Sequence, residues 1–382
     1  MKILHFIYTH AVAGAERYLV NLLPGLKHYD IECDLICVCP KSSEKIFIPY
    51  CEMMNNKGVK TTLMIGTKKD FLSIAKKINN YLKQENITVV HSHLSNADLI
   101  AVLTKIIYNK KLFIISSKHG YDEKYLVKYS PDSNPQVIDR NIYYYFTKFL
   151  LKFIDINLAT SKGIADLYFN IQLTSKVFHH IHHGISPSQC HVINSHIENA
   201  SKIQLIIVGR LEKVKGHKFL FEAMPHILKK FPQTQLLILG EGSEKNILAN
   251  QAIELDIEKN IVFMGFRQDP YKYISTSDII IQPSSFEAFG LVYIESFALK
   301  IPVVAFDVPA ANEIITNNET GLLAPKFDST MLAQKIIYLL ENPEERKRIT
   351  ENAYQKFLNC FTSERMIEAT ANWYRYVVPH TA

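Results

Sequence analysis

The stretch Asp278-Ile-Ile-Ile-Gln282-Pro283-Ser-Ser-Phe-Glu287-Ala-Phe289-Gly290-Leu291-Val-Tyr-Ile-Glu295-Ser-Phe-Ala-Leu299 decides the fold. Its opening is a short, unbroken apolar run, the pattern of a strand buried on both faces. A polar loop follows, turns at Gly290 and runs into a segment with helical spacing. Residues 302–306, Pro-Val-Val-Ala-Phe, then make a second apolar run. Strand, loop, helix and strand in that order form a βαβ unit, which makes its two strands parallel.

The same alternation extends outward. In the second half, apolar runs at 204–208, 235–239, 261–263, 279–282 and 302–306 are each followed by a helix-length segment. In the first half the runs are 2–8, 32–38, 59–65, 88–91 and 112–116, with apolar residues at three-and-four spacing over 15–26, 71–83 and 97–108. Two such series predict an α/β protein with two doubly wound, Rossmann-like domains. A chain of 382 residues agrees with that number at about 150 residues per domain. Residues 186–201 are polar and aperiodic, which places a linker there between domains at 1–185 and 202–358. Residues 359–382 belong to a last helical segment that carries Trp373, the only tryptophan.

Several classes are excluded or set aside. No run approaches the roughly 18 apolar residues of a spanning helix. The first apolar run is interrupted by His5, Tyr8, Thr9 and His10, too early for a signal-peptide core, so it reads as a buried strand of a cytoplasmic protein. The six cysteines (Cys33, Cys37, Cys39, Cys51, Cys190 and Cys360) lack a second closely spaced pair. Buried thiols in a reducing compartment explain them better than zinc. Residues 1–185 hold 23 Lys+Arg against 15 Asp+Glu, and residues 186–382 hold 20 against 22. The basic first half suits an anionic membrane surface or an acidic substrate, although scattered solvated lysines are the simpler account. No nucleic-acid module is present, so nucleic acid is not an expected partner.

In open parallel sheets ligands lie beyond the carboxyl ends of the strands. After the 204–208 run come Gly209-Arg210-Leu211-Glu212-Lys213-Val214-Lys215-Gly216, which put Arg210 and Lys215 at a strand tip. Fixed cations there stabilise negative charge without reorganisation. An exposed loop with one Arg and two Lys is the simpler reading of this segment alone, and its company changes the balance. Gly290 leaves backbone N–H groups open at a helix start, a site for phosphate oxygens. Glu287 in the loop and Glu295 in the helix are suited to accept paired hydroxyl hydrogen bonds. Glu295 stands among Ile294, Phe297, Ala298 and Leu299, poor company for a surface glutamate.

Gly209-Arg210 with Lys215-Gly216, Glu287-Ala-Phe-Gly-Leu and Glu295 eight positions on resemble the retaining glycosyltransferases of family four, the glycogen-synthase-like group 1 enzymes. The resemblance continues through Gly240-Glu241-Gly242, Asn312-Glu313-Ile314-Ile315 and Thr320-Gly321-Leu322-Leu323. In the first half it includes Ala13-Gly14-Ala15-Glu16-Arg17, with Ala13 where the family has glycine, and Ser117-Lys118-His119-Gly120. It implies a GT-B fold, two Rossmann-like domains facing each other across a cleft with the last helix crossing back to the first. By the same resemblance, Arg210 and Lys215 hold the pyrophosphate and Glu295 the ribose. Glu287, with the Phe289-Gly290-Leu291 backbone, takes sugar hydroxyls and phosphate. Phe266 and Arg267 flank the base, Gly14 lies near the donor phosphates and the acceptor, and His119 meets the donor sugar, with His119 and Glu287 as the catalytic pair.

The implied reaction is retaining transfer of a hexose-type sugar from a nucleotide-diphosphate sugar to a hydroxyl of a glycan or lipid-linked acceptor, in cell-surface polysaccharide or glycolipid synthesis. UDP is the family's commonest nucleotide. No Asp-x-Asp triplet occurs, so no metal is expected, and the nucleotide sugar is a co-substrate with no further cofactor. A nucleotide-sugar epimerase, a phosphorylase and a donor-binding protein without turnover are rivals on the same plan, and the first two match the glutamate pair less well. Residues 121–153 interleave Tyr and Phe with Lys and Arg. That composition reads first as a packed amphipathic helix with lysines in water, and alternatively as an interfacial helix on an anionic membrane.

Overall fold

The structure is a computed structural model that describes residues 1–120, 140–190, 203–267 and 269–379. The chain forms two compact units. One takes the described residues up to Gly184 and those from Ser363 onward, and the other runs from Ile185 to Thr362.

In the first unit the strands are β1 (Lys2–Tyr8), β2 (Glu32–Cys39), β3 (Thr61–Ile65), β4 (Val89–His93), β5 (Phe113–Lys118), β6 (Ile156–Ala159) and β7 (Phe178–His180). Among the described residues they make one sheet in the order β3-β2-β1-β4-β5-β6-β7, parallel throughout. In the second unit β8 (Gln204–Val208), β9 (Gln235–Leu239), β10 (Ile261–Gly265), β11 (Ile279–Gln282), β12 (Val303–Phe306) and β13 (Leu322–Ala324) lie in the order β10-β9-β8-β11-β12-β13, again parallel. In both sheets the winding reverses beside the first strand, between β1 and β4 and between β8 and β11. Each unit therefore has a switch point, a crevice at the carboxyl ends of two adjacent strands whose connections leave in opposite directions.

The sheets are held by the apolar runs that announced them. Ile279, Ile280 and Ile281 of β11 and Val303 to Phe306 of β12 are fully buried. Each of these side chains except that of Ala305 contributes about 1.5–3 kcal/mol relative to exposure. In the first unit the helices Gly14–Leu26, Glu44–Asn56 and Ser363–Val377 supply Leu19, Leu22, Phe47, Met54, Met366 and Tyr374 to a core that includes Ile3, Ile7 and Ile115 of the sheet.

Several elements differ from the sequence reading. Strands β6, β7 and β13 are three or four residues long, too short to stand out as periodic runs. The helix Glu44–Asn56 was hidden by Pro49 in its middle. Strand β4 continues to His93 and β5 to Lys118, so polar residues lie inside the sheet, where buried partners satisfy them. The late helical segment is two helices, Pro343–Cys360 and Ser363–Val377, broken at Phe361 and Thr362. At this break Ile185 pairs with Thr362 in an isolated bridge, and its N–H donates to Phe361 O at 3.0 Å. Residues 191–201 of the expected linker lie outside the described residues.

Of the aromatic and basic segment, 121–139 lies outside the described residues, and Ile142–Leu151 is a helix. Tyr144, Leu150 and Leu151 are buried, whereas Ile142, Tyr143, Tyr145, Phe146 and Phe149 are exposed. One side packs as an ordinary amphipathic helix does, and the other presents rings to solvent. Among the described residues no helix is long and apolar enough to cross a membrane. Cys33, Cys37, Cys39, Cys51 and Cys360 are free thiols; Cys37, Cys39 and Cys51 are buried as expected, whereas Cys33 is half-buried and Cys360 is exposed.

Candidate functional site

The switch point of the second unit is assembled by two loops zipped together. Gly216 follows a turn of 3-10 helix at Lys213–Lys215 and sits at φ +71°, and a Cβ there would lie 1.8 Å from the carbonyl oxygen of Pro283. Only glycine allows the β8 loop to come so close to the β11 loop. Ser285 completes the closure, its N–H donating to Val214 O at 2.8 Å. Gly240, after β9, packs as tightly: a Cβ on it would meet Gly209 O at 1.9 Å.

This closure brings Lys215 to Glu287. Lys215 Nζ lies 2.7 Å from Glu287 Oε1, Ser284 Oγ donates to the same oxygen at 2.7 Å, and Gln282 Nε2 approaches it at 3.4 Å. The carboxylate is thus held with a charged and a neutral donor on one oxygen. Arg210, on the same β8 loop, is exposed. The helix Leu291–Ala298 begins after Gly290 at φ +88°. Tyr293 N–H donates back to Gly290 O at 3.0 Å, and the helix dipole adds positive potential at this end. Glu295 is buried in that helix and accepts from Tyr271 Oη at 3.3 Å. Phe289 is buried against Phe361, with ring centroids 6.2 Å apart. Phe266 and Arg267 follow β10, the edge strand; Phe266 is 62% exposed, and the Arg267 guanidinium lies 5.8 Å from the Tyr273 ring centroid. Arg210, Lys215, Glu287, Phe289, Gly290, Leu291 and Glu295 therefore belong to the β8 and β11 connections, and Phe266 and Arg267 to that of β10. Sequence reasoning missed Gln282, Ser284 and Tyr293. Gln282 Oε1 and Tyr293 Oη are buried without a hydrogen-bond partner. Burial and then the Glu287 charge raise the Tyr293 pKa, so the phenol stays protonated.

The first unit's switch point is different in kind. Gly14 opens the helix Gly14–Leu26, and Glu16 turns back to accept from Ala13 N–H at 2.7 Å. Ala13 has φ −133°, so alanine is accommodated there without strain. At the tip of β5, Lys118 forms a buried ion pair with Asp98, which also accepts from Ser92 and Ser116 Oγ, each at 2.6 Å. His119 comes next. Its Nε2 lies 3.0 Å from His93 Nδ1, and its own Nδ1 is buried without a partner. Burial, and secondarily the Lys118 charge, push its pKa down to about 3, leaving a neutral ring near pH 7.

Behind His119 lies a cluster of histidines that sequence reasoning also missed. His93 Nε2 is 3.0 Å from His5 Nδ1, His5 Nε2 is 3.3 Å from Tyr374 Oη, Tyr374 Oη is 2.5 Å from His91 Nδ1, and His91 Nε2 is 2.7 Å from Ser117 Oγ. His5, His91 and His93 are the one group among the described residues with ligand atoms close enough for a metal, all within 4.8 Å. Their nitrogens are already engaged by one another, by His119, by Tyr374 and by Ser117. The available signal was His91-Ser92-His93 at the period of a strand, which puts both rings on one face. His5, opposite His91 in the register of β1 and β4, shares that face. Between this cluster and the following helix, Leu94 is held at φ +74°, ψ 156°, a conformation that favours glycine.

Two doubly wound sheets, each with chemistry at its switch point, are the architecture of GT-B transferases, and solved structures bear this out at the level of fold. HepE of Anabaena, in complex with UDP and glucose, superposes with a TM-score of 0.80 at 17% identity over 99% of this chain and all of that one. Sucrose-phosphate synthase of Thermosynechococcus elongatus gives 0.80 at 20% identity, covering 99% of each. Residues 192–356 match the family described as Glycosyl transferases group 1, and residues 12–189 the family described as Glycosyltransferase Family 4. The chain belongs to the group 1 glycosyltransferases of family four, enzymes that move a sugar from a nucleotide sugar to an acceptor. The N-acetylgalactosamine-N,N'-diacetylbacillosaminyl-diphospho-undecaprenol 4-alpha-N-acetylgalactosaminyltransferase of Campylobacter jejuni is 28% identical over 369 residues, 91% of this chain and 92% of its own length. The capsular polysaccharide biosynthesis glycosyltransferase CapM of Staphylococcus aureus is 25% identical over 324 residues, 81% and 82% of the two chains.

Proposed function

We propose that this glycosyltransferase moves a hexose-type sugar from a UDP-sugar, without a metal ion and with retention at the anomeric carbon, to a hydroxyl of a glycan or lipid-linked acceptor in cell-surface polysaccharide or glycolipid synthesis. The observation that carries the proposal is the Lys215–Glu287 pair at the switch point, with the N-terminus of the Leu291–Ala298 helix in the same β11 connection. Arg210, Lys215 and the amides after Gly290 neutralise the diphosphate, work a bound cation does in other transferases. Glu295 takes the ribose hydroxyls, Glu287 and the Phe289-Gly290-Leu291 backbone the sugar and its phosphate, and Phe266 and Arg267 the base. In the first unit His119 addresses the donor sugar, and the turn at Gly14 lies beside phosphate and acceptor. UDP is supported by HepE, and a lipid-diphosphate-linked acceptor by the name of the Campylobacter relative.

In the reaction, the acceptor oxygen attacks the anomeric carbon from the face the nucleotide leaves. The bond from that carbon to the phosphate oxygen breaks, and the departing phosphate takes the acceptor's proton. The products are the glycoside and a nucleoside diphosphate. The enzyme works in the cytoplasm. The exposed rings of the helix Ile142–Leu151, with Lys148 beside them and a basic first half, support contact with an anionic membrane face. A panel of nucleotide sugars scored by thermal shift and donor hydrolysis, with and without EDTA, tests the donor and the metal together. Activity abolished by EDTA and restored by magnesium overturns metal independence, and preference for a donor other than UDP overturns the nucleotide. The anomeric configuration of the product, read by proton NMR, decides retention. Co-sedimentation with anionic liposomes decides the membrane contact.

A further inference from the structure

The cluster behind His119 is a single unbranched string within the first unit: Ser117, His91, Tyr374, His5, His93 and His119, joined end to end by contacts of 2.5–3.3 Å. Each imidazole is used at both nitrogens except the last, where His119 Nδ1 is left over. Burial lowers the pKa of all four rings, so each carries one proton. A neutral imidazole donates from one nitrogen and accepts at the other. Such a string has only two self-consistent states, with every hydrogen bond pointing one way or every one reversed.

Tyr374 chooses between them. Its hydroxyl has one proton and two imidazole neighbours, His91 Nδ1 at 2.5 Å and His5 Nε2 at 3.3 Å. Both neighbours are imidazole nitrogens, and a hydroxyl donor makes a shorter contact than a ring N–H, so the 2.5 Å contact is O–H donating to His91 Nδ1. The rest follows without freedom. His91 Nε2–H donates to Ser117 Oγ, His5 Nε2–H to Tyr374 Oη, His93 Nε2–H to His5 Nδ1, and His119 Nε2–H to His93 Nδ1. All four rings are Nε2–H tautomers, and the string ends in a lone pair on His119 Nδ1.

We infer that Tyr374, on the C-terminal helix, with His91, His5 and His93, acts as a set of positioning residues that fix the tautomer of His119, which thereby accepts a hydrogen bond from a hydroxyl of the donor sugar and does not donate one. The inference rests on the reading of His119 as a donor-sugar residue. It adds two things: a polarity for that contact, and a role for a helix that follows His119 by more than 240 residues in sequence. It also explains three imidazoles, His5, His91 and His93, in a sheet interior that apolar residues would otherwise fill.

The test is nitrogen NMR on the full chain labelled with 15N-histidine at pH 7.5, its ring signals assigned by single His→Asn variants. The expected spectrum has the Nε2–H pattern for His5, His91, His93 and His119. In Tyr374→Phe, which removes only the hydroxyl, the His119 signal shifts toward a mixture of both tautomers, and hydrolysis of the UDP-sugar that the unaltered enzyme turns over falls about tenfold, what loss of one net hydrogen bond allows. An Nδ1–H or doubly protonated His119 in the unaltered protein overturns the inference, as does Tyr374→Phe with an unmoved His119 signal. Should Tyr374→Phe fail to fold, the unaltered spectrum decides alone. The underlying reading fails separately: full turnover in His119→Ala removes His119 from the donor whatever its tautomer.

Discussion

The two switch points have the same topology and opposite electrostatics. In the second unit the strand tips carry full charges that keep some contact with solvent: the Lys215 side chain is 20% exposed and that of Glu287 is 8% exposed. In the first unit His5, His91 and His93 are fully buried and neutral. A charge costs little to keep where water reaches it and several kcal/mol where water does not, so in the dry site the ion pair Lys118–Asp98 is matched internally with two serine donors on the carboxylate, and the rings beside it hydrogen-bond without ionising. Fixed cations and amide dipoles suit a diphosphate, and directional neutral partners suit hydroxyl groups.

The largest effect follows from acid, because a histidine forced to be neutral in the fold destabilises that fold once the unfolded chain takes up protons. His5, His91, His93 and His183 all have folded pKa values below the usual 6.5, chiefly through burial. Their contribution is therefore intact above pH 6.5 and is lost as pH falls through the window down to the folded values, about 3 for His5. Each such ring subtracts up to about 1.4 kcal/mol per pH unit. Between pH 6.5 and 5 these four, joined by His119 with its pKa of about 3, together remove several kcal/mol, on the order of a domain's whole stability. In the second unit burial lowers His217 alone in this way, to about 4. Trp373, the single tryptophan, lies on the helix Ser363–Val377 with its ring 6.5 Å from that of His91. Its fluorescence reports the first unit, whereas far-ultraviolet circular dichroism reports both. On acid titration the fluorescence transition should precede the dichroism transition; coincident curves would show that the histidine interior is not the weak point.

Catalysis sharpens the same comparison. Glu287→Ala and His119→Ala are each expected to lower kcat on the order of 10²–10³, the range seen when a preorganised polar partner is removed. Arg210→Ala should in addition raise the donor KM, because the guanidinium binds ground state and transition state alike. Single-turnover kinetics with the donor that the panel identifies separates the cases. Wild-type turnover from all three variants would remove both switch points from the reaction.

The second unit was legible because its chemistry is local. Strand, glycine loop and helix follow one another within some twenty residues, and Arg210, Lys215, Glu287 and Glu295 each stand just after an apolar run or in the helix it leads to. What the residues did not reveal was the Lys215–Glu287 contact, 72 positions apart, which depends on the approach of Gly216 to Pro283. In the first unit His119 was legible for the same reason as Arg210, as the residue after a strand. Its supporting string was not, because it joins β1, β4, β5 and the last helix across separations of up to 369 residues. A buried histidine in a sequence looks like an interruption of a strand, and only the register of β1 against β4 shows that the interruptions face one another.

The smallest effects test whether backbone closure, rather than charge, sets the second site. Gly216→Ala places a methyl group against the Pro283 carbonyl at a left-handed φ, so strain and clash together should cost about 3 kcal/mol. The dichroism melt of the second unit should shift while Trp373 fluorescence holds. Gly58, after the helix Glu44–Asn56, has nearly the same left-handed backbone, φ +82°, with nothing within 4 Å of a Cβ. Gly58→Ala should therefore cost only the conformational part, about 1 kcal/mol, and should appear in the fluorescence transition of the first unit. The difference between the two substitutions isolates the approach of the loops that carry Lys215 and Glu287. Equal losses would mean that this approach relaxes freely, and a pair held that loosely offers no preorganisation to a departing diphosphate.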